Sequence, residues 1–226
     1  RSVELLRWRG ECGHMSDSAV AAVLLAAGES RRMGAPNKLV LPVQGQPLLR
    51  RTARTLLDSG LDEIVVVLGH ESDRARELLR DLPLKLVENP HYRDGQMTSV
   101  HCGLAALERT AKGVMICLAD QPRLEAADIN YLIERYRQDC TRPLLVPVFE
   151  GRRGNPIILS YAQRAAILAG DRNLGCRRLI ERQPELVWPC VVHSDHYTED
   201  IDTPQDYERL AGGGRMEQQV AGVADR

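Results

Sequence analysis

The strongest constraint on this chain is an unbroken apolar run from Val20 to Ala27 that ends abruptly at Gly28. A segment this short and this uniformly apolar suits a strand covered on both faces, as in the middle of a parallel sheet. The next eleven residues are mostly polar and rich in turn formers: Gly28, Glu29, Ser30, the pair Arg31 and Arg32, then Gly34, Pro36, Asn37 and Lys38. A glycine directly after a buried strand lets the backbone turn sharply, so that its N–H groups can face an anion. Arg32 adds a flat, forked cation and Lys38 a movable point charge. Amides plus two cations suit a polyphosphate. The stretch is neither of two well-known phosphate loops. Counting from Gly28, Met33, Gly34 and Ala35 stand where a P-loop needs Gly, Lys and a hydroxyl residue, and Ser30 stands where the dinucleotide fingerprint needs its second glycine. A solvated basic loop is the plainer reading of the same residues.

The remainder supplies alternating elements. An extended piece is expected at Leu39 to Val43 with a turn over Gln44 to Pro47, then a helix from Pro47 to Ser59 and a strand from Ile64 to Leu68. A helix capped by Ser72 should run to Asp81, followed by a strand at Leu84 to Val87, a helix at Thr98 to Arg109 and a strand at Val114 to Leu118. Next come a helix at Glu125 to Gln138, strands at Leu144 to Val148 and Ile157 to Leu159, and helices at Tyr161 to Leu168 and Leu174 to Arg182. An edge strand, Val187 to Val192, is marked by Pro189, and a closing helix spans Gln205 to Leu210. This alternation predicts an α/β fold with three layers, Rossmann-like, with a mostly parallel central sheet. Ligands in such sheets gather beyond the carboxyl ends of the strands, where Gly28, Gly69, Asn89 and Asp120 all fall.

Chemistry-bearing residues cluster near those ends. Gly95 frees the backbone before Thr98 and Ser99, where hydroxyls and unpaired helix N–H groups can meet a polar ligand or simply cap the helix. Asp120, held by Pro122 just beyond, is placed as a ligand for Mg²⁺, which takes one or two carboxylates and fills its remaining positions with water and phosphate oxygens. Asp202, before Thr203 and Pro204, is the second expected carboxylate, with Asp200 as its competitor; Asp-Thr-Pro is also a good helix entrance in itself. Arg152 and Arg153, flanked by glycines, read by default as exposed turn basics. The six histidines show no H-x-x-x-H spacing, and no Ser/His/Asp or Cys/His pattern supports a covalent nucleophile.

Composition removes several classes. A net charge of −1 with 4% aromatic residues argues against a general binder of nucleic acid or of membrane surfaces. No apolar run approaches a membrane span. The six cysteines are scattered without a C-x-x-C pair, which fits free thiols in a reducing cytoplasm. Residues 1–18 are expected to be a leader or flexible extension, residues 19–211 the domain, and residues 212–226 a disordered tail.

The segment LAAGESRRMGAPNKL resembles the opening of the nucleotidyltransferases that join a nucleoside monophosphate to the molybdenum-cofactor pterin, and is most similar to the molybdenum cofactor cytidylyltransferase branch. Later segments extend the resemblance over roughly Val20 to Leu210. It implies a nucleotide site made of Leu25, Ala26, Ala27, Gly28, Arg32, Lys38, Gly69, Asn89, Gly95 and Ser99. It further implies Mg²⁺ on Asp120 and Asp202, catalytic roles for Arg32, Lys38 and Asp120, and an acceptor segment at Arg153, Gly154, Asn155 and Pro156. Relatives often carry His where Asn155 stands. Their G-D-x-G-x-R pattern is interrupted here in GDRNLGCRR by two extra residues, which weakens the carry-over to Asp171 and Arg177. The expected partners are CTP, or GTP, and the molybdopterin cofactor, with a recipient molybdoenzyme beyond them. LAAG favours CTP, since guanine-using relatives more often read LAGG. The alternatives are a guanylyltransferase, the isoprenoid-pathway cytidylyltransferase, which has Pro-Lys where this chain has Asn37-Lys38, and a non-catalytic protein that delivers cofactor to a molybdoenzyme.

Overall fold

The computed structural model describes residues 19–34, 37–139, 142–170, 180–181 and 184–211. Its centre is the strand expected from the apolar run: β1, Val20–Ala26, is flanked in parallel register by β4, Glu63–Leu68, and by β6, Gly113–Leu118. Strand side chains alternate between faces. Ala22, Leu24 and Ala26 therefore pack with Leu49, Ala53 and Leu56 of α1, Leu48–Leu57, and with Ile129, Leu132 and Tyr136 of α4, Ala126–Gln138. Ala75 and Leu79 of α2, Ser72–Leu79, join the same layer. The odd positions Ala21 and Val23 meet Val100 and Leu104 of α3, Gln96–Ala106, and Ile167 of α5, Tyr161–Leu168, on the opposite side. Helices on both faces of one sheet give the three layers.

The full strand order is β10-β7-β9-β6-β1-β4-β5, where β5 is Lys85–Glu88, β7 Leu144–Phe149, β9 Ile157–Ser160 and β10 Val187–Val191. Along this path only β9 runs antiparallel, between β6 and β7. β8, Arg152–Arg153, folds back on β7 as a short hairpin. Among the described residues β10 pairs with β7 alone and is an edge, as expected from Pro189 in its middle. Chain order reverses about β1, between β4 and β6, so the crevice above their carboxyl ends is the expected ligand position.

A smaller apolar cluster outside the main layers determines where the loop residues go. Met33, Leu41, Val43 and Leu48 pack with Ile201, Tyr207 and Leu210. This seats α6, Pro204–Leu210, on the two-strand hairpin of β2, Pro42–Val43, and β3, Gln46–Pro47, with the Tyr207 hydroxyl donating to the Pro42 carbonyl at 2.7 Å. Loop after β1 and segment before α6 are thereby held side by side.

Several local expectations are corrected. The start of the piece expected to be extended is a 3₁₀ turn, Lys38–Val40, because the Asn37 side chain accepts from the Leu39 N–H and begins a helical turn. Gln46 and Pro47 lie in β3, not in the turn. Glu71, in left-handed conformation at φ 50°, is the N-cap of α2 in place of Ser72, whose hydroxyl instead donates to Glu88. α3 begins two residues early, at Gln96, with Gly95 as N-cap at φ 117°, a backbone angle open to glycine. Of the helix expected at Leu174 to Arg182, all but residues 180–181 lie outside the described residues, as do Asp171, Arg177, residues 1–18 and residues 212–226. Among the described residues no helix is long and apolar enough to cross a membrane.

Candidate functional site

The turn after β1 is built to present Lys38. Ser30 takes the left-handed conformation at φ 51°, which costs a non-glycine residue free energy that its hydrogen bonds must offset. Its hydroxyl accepts from the Lys38 backbone N–H at 3.2 Å and donates to Asn37 Oδ1 at 3.3 Å. Asn37 is buried, and its Nδ2 donates to Glu71 Oε2 at 3.0 Å. The Lys38 carbonyl accepts from the Leu41 N–H at 3.2 Å. Lys38 is thus fixed at both backbone groups while its side chain reaches across the crevice.

Asp120 lies just past β6. The turn that carries it is fastened to α1: Thr52 Oγ1 donates to the Ala119 carbonyl at 3.3 Å and Arg51 Nε to the Pro122 carbonyl at 2.9 Å. The Ile201 N–H donates to the Asp120 carbonyl at 2.9 Å, which brings Asp202 alongside. Asp202 in turn precedes a capping box in which Thr203 and Asp206 bond each other's backbone N–H groups.

These supports converge on one ionic cluster. Lys38 Nζ donates to Asp120 Oδ2 at 2.7 Å and to Asp202 Oδ1 at 2.8 Å, and Arg32 Nη2 meets Asp202 Oδ2 at 2.8 Å. Burial alone would lower the Lys38 pKa, but the Asp120 and Asp202 carboxylates outweigh it and hold the ammonium above its ordinary value. Asp200 is pushed the other way from an ordinary acid: burial, then the charges of Asp120 and Asp202, raise its pKa, with Lys38 partly offsetting them. Among the described residues Asp120 Oδ1 is buried and has no hydrogen-bond partner. An acceptor oxygen left in that state has room for one more ligand, and a carboxylate oxygen suits a hard cation such as Mg²⁺. Among the described residues no group of three His, Cys, Asp or Glu side chains could hold a metal by themselves, so an ion here would complete its shell with phosphate and water.

The cluster forms one wall of a cleft of about 420 Å³, also lined by Leu25, Ala27, Gly28, Glu29, Tyr92, Gln96 and Ser99. A neighbouring hollow of about 600 Å³ shares Leu25, Gln96 and Leu118 with it and continues to Arg152, Arg153, Gly154 and Asn155. One end of the combined crevice therefore carries matched charges, Lys38 and Arg32 against Asp120 and Asp202; the other carries Arg152 and Arg153.

Of the residues singled out from the sequence, Leu25, Ala27, Gly28, Arg32, Lys38, Ser99, Asp120 and Asp202 line the first cleft, and Arg153, Gly154 and Asn155 the second. Ala26, Gly69, Asn89, Gly95 and Pro156 line neither. Asn89 and Gly69 act from behind. Asn89, nearly fully buried, donates to Thr98 Oγ1 at 2.8 Å and to Ser99 Oγ at 3.0 Å and so holds the first turn of α3. Gly69 lets two elements close: a Cβ there would lie 2.8 Å from both Ala27 and Tyr92. Gln121 is a residue that sequence reasoning misses, although it adjoins Asp120 in the same motif. It is 2% exposed, and its Nε2 donates to the Tyr197 carbonyl at 2.9 Å and the Asn155 carbonyl at 3.3 Å, joining the Asp120 turn to residues 153–156. Tyr92 and Gln96 are missed as well; only their place between Asn89 and Ser99 points to them.

The family described as MobA-like NTP transferase domain matches residues 22–187. The nicotine blue oxidoreductase of Paenarthrobacter nicotinovorans is 31% identical over 84% of this chain and 96% of its own length. The purine catabolism protein PucB of Bacillus subtilis is 31% identical over 87% of this chain and 98% of its own length. Among solved structures, Rv0371c from Mycobacterium tuberculosis superposes with a TM-score of 0.74 at 25% identity, covering 87% of this chain and 99% of that one.

Proposed function

We propose, for a chain that belongs to the MobA-like NTP transferase family, that it transfers CMP from CTP to the terminal phosphate of the molybdopterin cofactor and releases pyrophosphate. Nucleotidyl transfer is the family's chemistry; the choice of nucleotide and acceptor is the proposal. The observation that carries it is the Lys38–Asp120–Asp202–Arg32 cluster, set at the carboxyl ends of β1 and β6 with one Asp120 oxygen still unpaired.

In this reaction an oxygen of the acceptor phosphate attacks the α-phosphorus of the nucleotide, a new P–O bond forms, and the bond to the β-phosphate oxygen breaks. Positioning and charge neutralisation supply most of the catalysis. Gly28 and the residues around it offer backbone N–H groups to the triphosphate, and Arg32 and Lys38 offer positive charge. Arg153, with Gly154 and Asn155 beside it, holds the acceptor phosphate at the far end of the crevice. Asp120 and Asp202 are the residues that would hold Mg²⁺, which when bound neutralises charge on the reacting phosphates. A phosphate monoester has a second pKa of about 6 and is already largely ionised at neutral pH, so no general base is called for. LAAG in β1 and its turn supports CTP over GTP.

The test is calorimetric binding of CTP, GTP and ATP, each with Mg²⁺, to wild type and to Asp120→Ala. CTP-selective binding that weakens in the variant supports the reading; selective GTP binding moves the product to the guanine dinucleotide. A second reading is favoured by the 31% identity to a protein named as an oxidoreductase. The pyrophosphate of a redox dinucleotide would present similar chemistry to the Gly28 turn. Binding of a nicotinamide dinucleotide, with no triphosphate bound, would decide for it.

A further inference from the structure

We infer that Lys38 is an internal cation that keeps the Asp120–Asp202 pair closed to a lone divalent ion, and that the triphosphate opens the pair by drawing Lys38 away. The inference rests on the nucleotidyltransferase reading and adds an order to it: metal and nucleotide enter together.

Charge and geometry both point this way. Two carboxylates face two cations, and Lys38 Nζ bridges Asp120 Oδ2 and Asp202 Oδ1 at 2.7 and 2.8 Å, within the oxygens that a shared ion would use. Arg32 covers the remaining Asp202 oxygen at 2.8 Å. Only Asp120 Oδ1 is left, and a single oxygen is a poor site for an ion that favours about six oxygen ligands. A lone ion must therefore compete with an ammonium whose side chain is 13% exposed and whose backbone is held by the Ser30 hydroxyl and the Leu41 N–H. A triphosphate changes the balance. Lys38 borders the same cleft as Gly28 and Ser30, so its ammonium can pass from carboxylate to phosphate by side-chain rotation. Each departing contact is replaced: Lys38 and Arg32 gain phosphate oxygens, and the carboxylates gain the divalent ion with its phosphate ligands. Linkage then requires that nucleotide and metal strengthen each other by the same factor.

The experiment uses Mn²⁺ as probe and its free-ion electron paramagnetic resonance signal as readout, with no turnover needed. Wild type should bind Mn²⁺ weakly alone and more tightly with CTP or GTP, after subtraction of Mn²⁺ held by the free nucleotide. Lys38→Met should bind Mn²⁺ alone more tightly than wild type by roughly tenfold or more, within the usual range of coupled sites. Lys38→Gln should do the same, and Lys38→Arg, which keeps the charge, should remain weak; thermal unfolding checks that each is folded. If both neutral variants bind lone Mn²⁺ no better than wild type, while nucleotide still tightens the wild-type site, Lys38 is not the guard and the inference falls alone. If wild type shows no joint binding of Mn²⁺ with either nucleotide, the nucleotidyltransferase reading falls and takes the inference with it.

Discussion

Two glycine-to-alanine changes separate what the fold needs from what the site needs. Gly103 lies in α3 where the helix crosses the sheet, and a Cβ there would come within 2.2 Å of Val23 Cγ1 and 2.8 Å of Val67 Cγ2. Carbon atoms need about 3.5 Å, so helix or strand must give by about 1 Å. The obstructing methyls belong to β-branched side chains in central strands, which cannot rotate aside cheaply. Overpacking of this kind costs about 1–3 kcal/mol, and the better helix propensity of alanine returns at most about 1 kcal/mol. A clash of 2.2 Å against a stiff side chain belongs at the top of that range, so a net loss of about 2 kcal/mol lowers the melting temperature of a domain this size by roughly 4–8 °C. Since Gln96 and Ser99 sit on the same helix and line the cleft, nucleotide affinity should fall as well. Gly28 is the reverse case. Among the described residues a Cβ there meets nothing within 4 Å, so Gly28→Ala should unfold with wild type yet weaken triphosphate binding, because the methyl would project into the cleft proposed for phosphate. Thermal unfolding and calorimetry on both variants make the comparison. A Gly103→Ala protein as stable as wild type would refute the packing argument, and a Gly28→Ala protein with unchanged affinity would remove that turn from the phosphate site.

Two further outcomes are expected. Arg50 grips Asp81 with both nitrogens, at 2.6 and 2.7 Å, and its hydrogen bonds hold the Asp81 carboxyl well below the usual range. A depressed acid stabilises above its unfolded pKa, about 4, and loses that contribution as pH falls through the folded value. Arg50→Met should therefore flatten the acid limb of the melting profile by a small, salt-sensitive amount, since Asp81 is exposed; an unaltered limb at low salt contradicts this. Gln121→Met removes the two hydrogen bonds that its Nε2 donates to the Tyr197 and Asn155 carbonyls; since the Tyr197 carbonyl keeps the Asn155 N–H and Gln121 Oε1 is itself buried without a partner among the described residues, the cost is about 1 kcal/mol. It should leave CTP affinity nearly unchanged while slowing transfer to the acceptor, so equal losses in both would show that Gln121 supports the whole site.

The central strands are legible in the sequence because burial on both faces leaves an uninterrupted apolar run, as in Val20–Ala26 and Gly113–Leu118. Asp202 enters only as a partner for Asp120, since Asp-Thr-Pro is a helix entrance in itself, but the places of Lys38 and Asp120 are legible for a related reason: each follows a strand that the pattern ends at one side of the sheet. That Lys38 joins the two carboxylates is not, because pairing across 82 and 164 residues depends on α6 docking through Tyr207, which leaves no periodic trace. The antiparallel course of β9 is also hidden. It follows from the short β7–β8 hairpin, where Glu150 and Gly151 take φ values of 47° and 77°, but apolar periodicity carries no direction. Caps mislead where a side chain from afar takes over: Ser72 bonds Glu88, and Glu71 stands at the helix start bonded to Asn37.

Nucleotidyl transfer at the Asp120–Asp202 crevice stands or falls on pyrophosphate release. Wild type is incubated with Mg²⁺, molybdopterin and CTP or GTP, while pyrophosphate and the mass of the pterin product are followed. Pyrophosphate and cytosine dinucleotide should appear in equal amounts, with the rate falling roughly 100-fold or more in Asp120→Ala, in keeping with the loss of a main electrostatic contribution. Absence of pyrophosphate with either nucleotide, or a wild-type rate in Asp120→Ala, would contradict nucleotidyl transfer at this crevice.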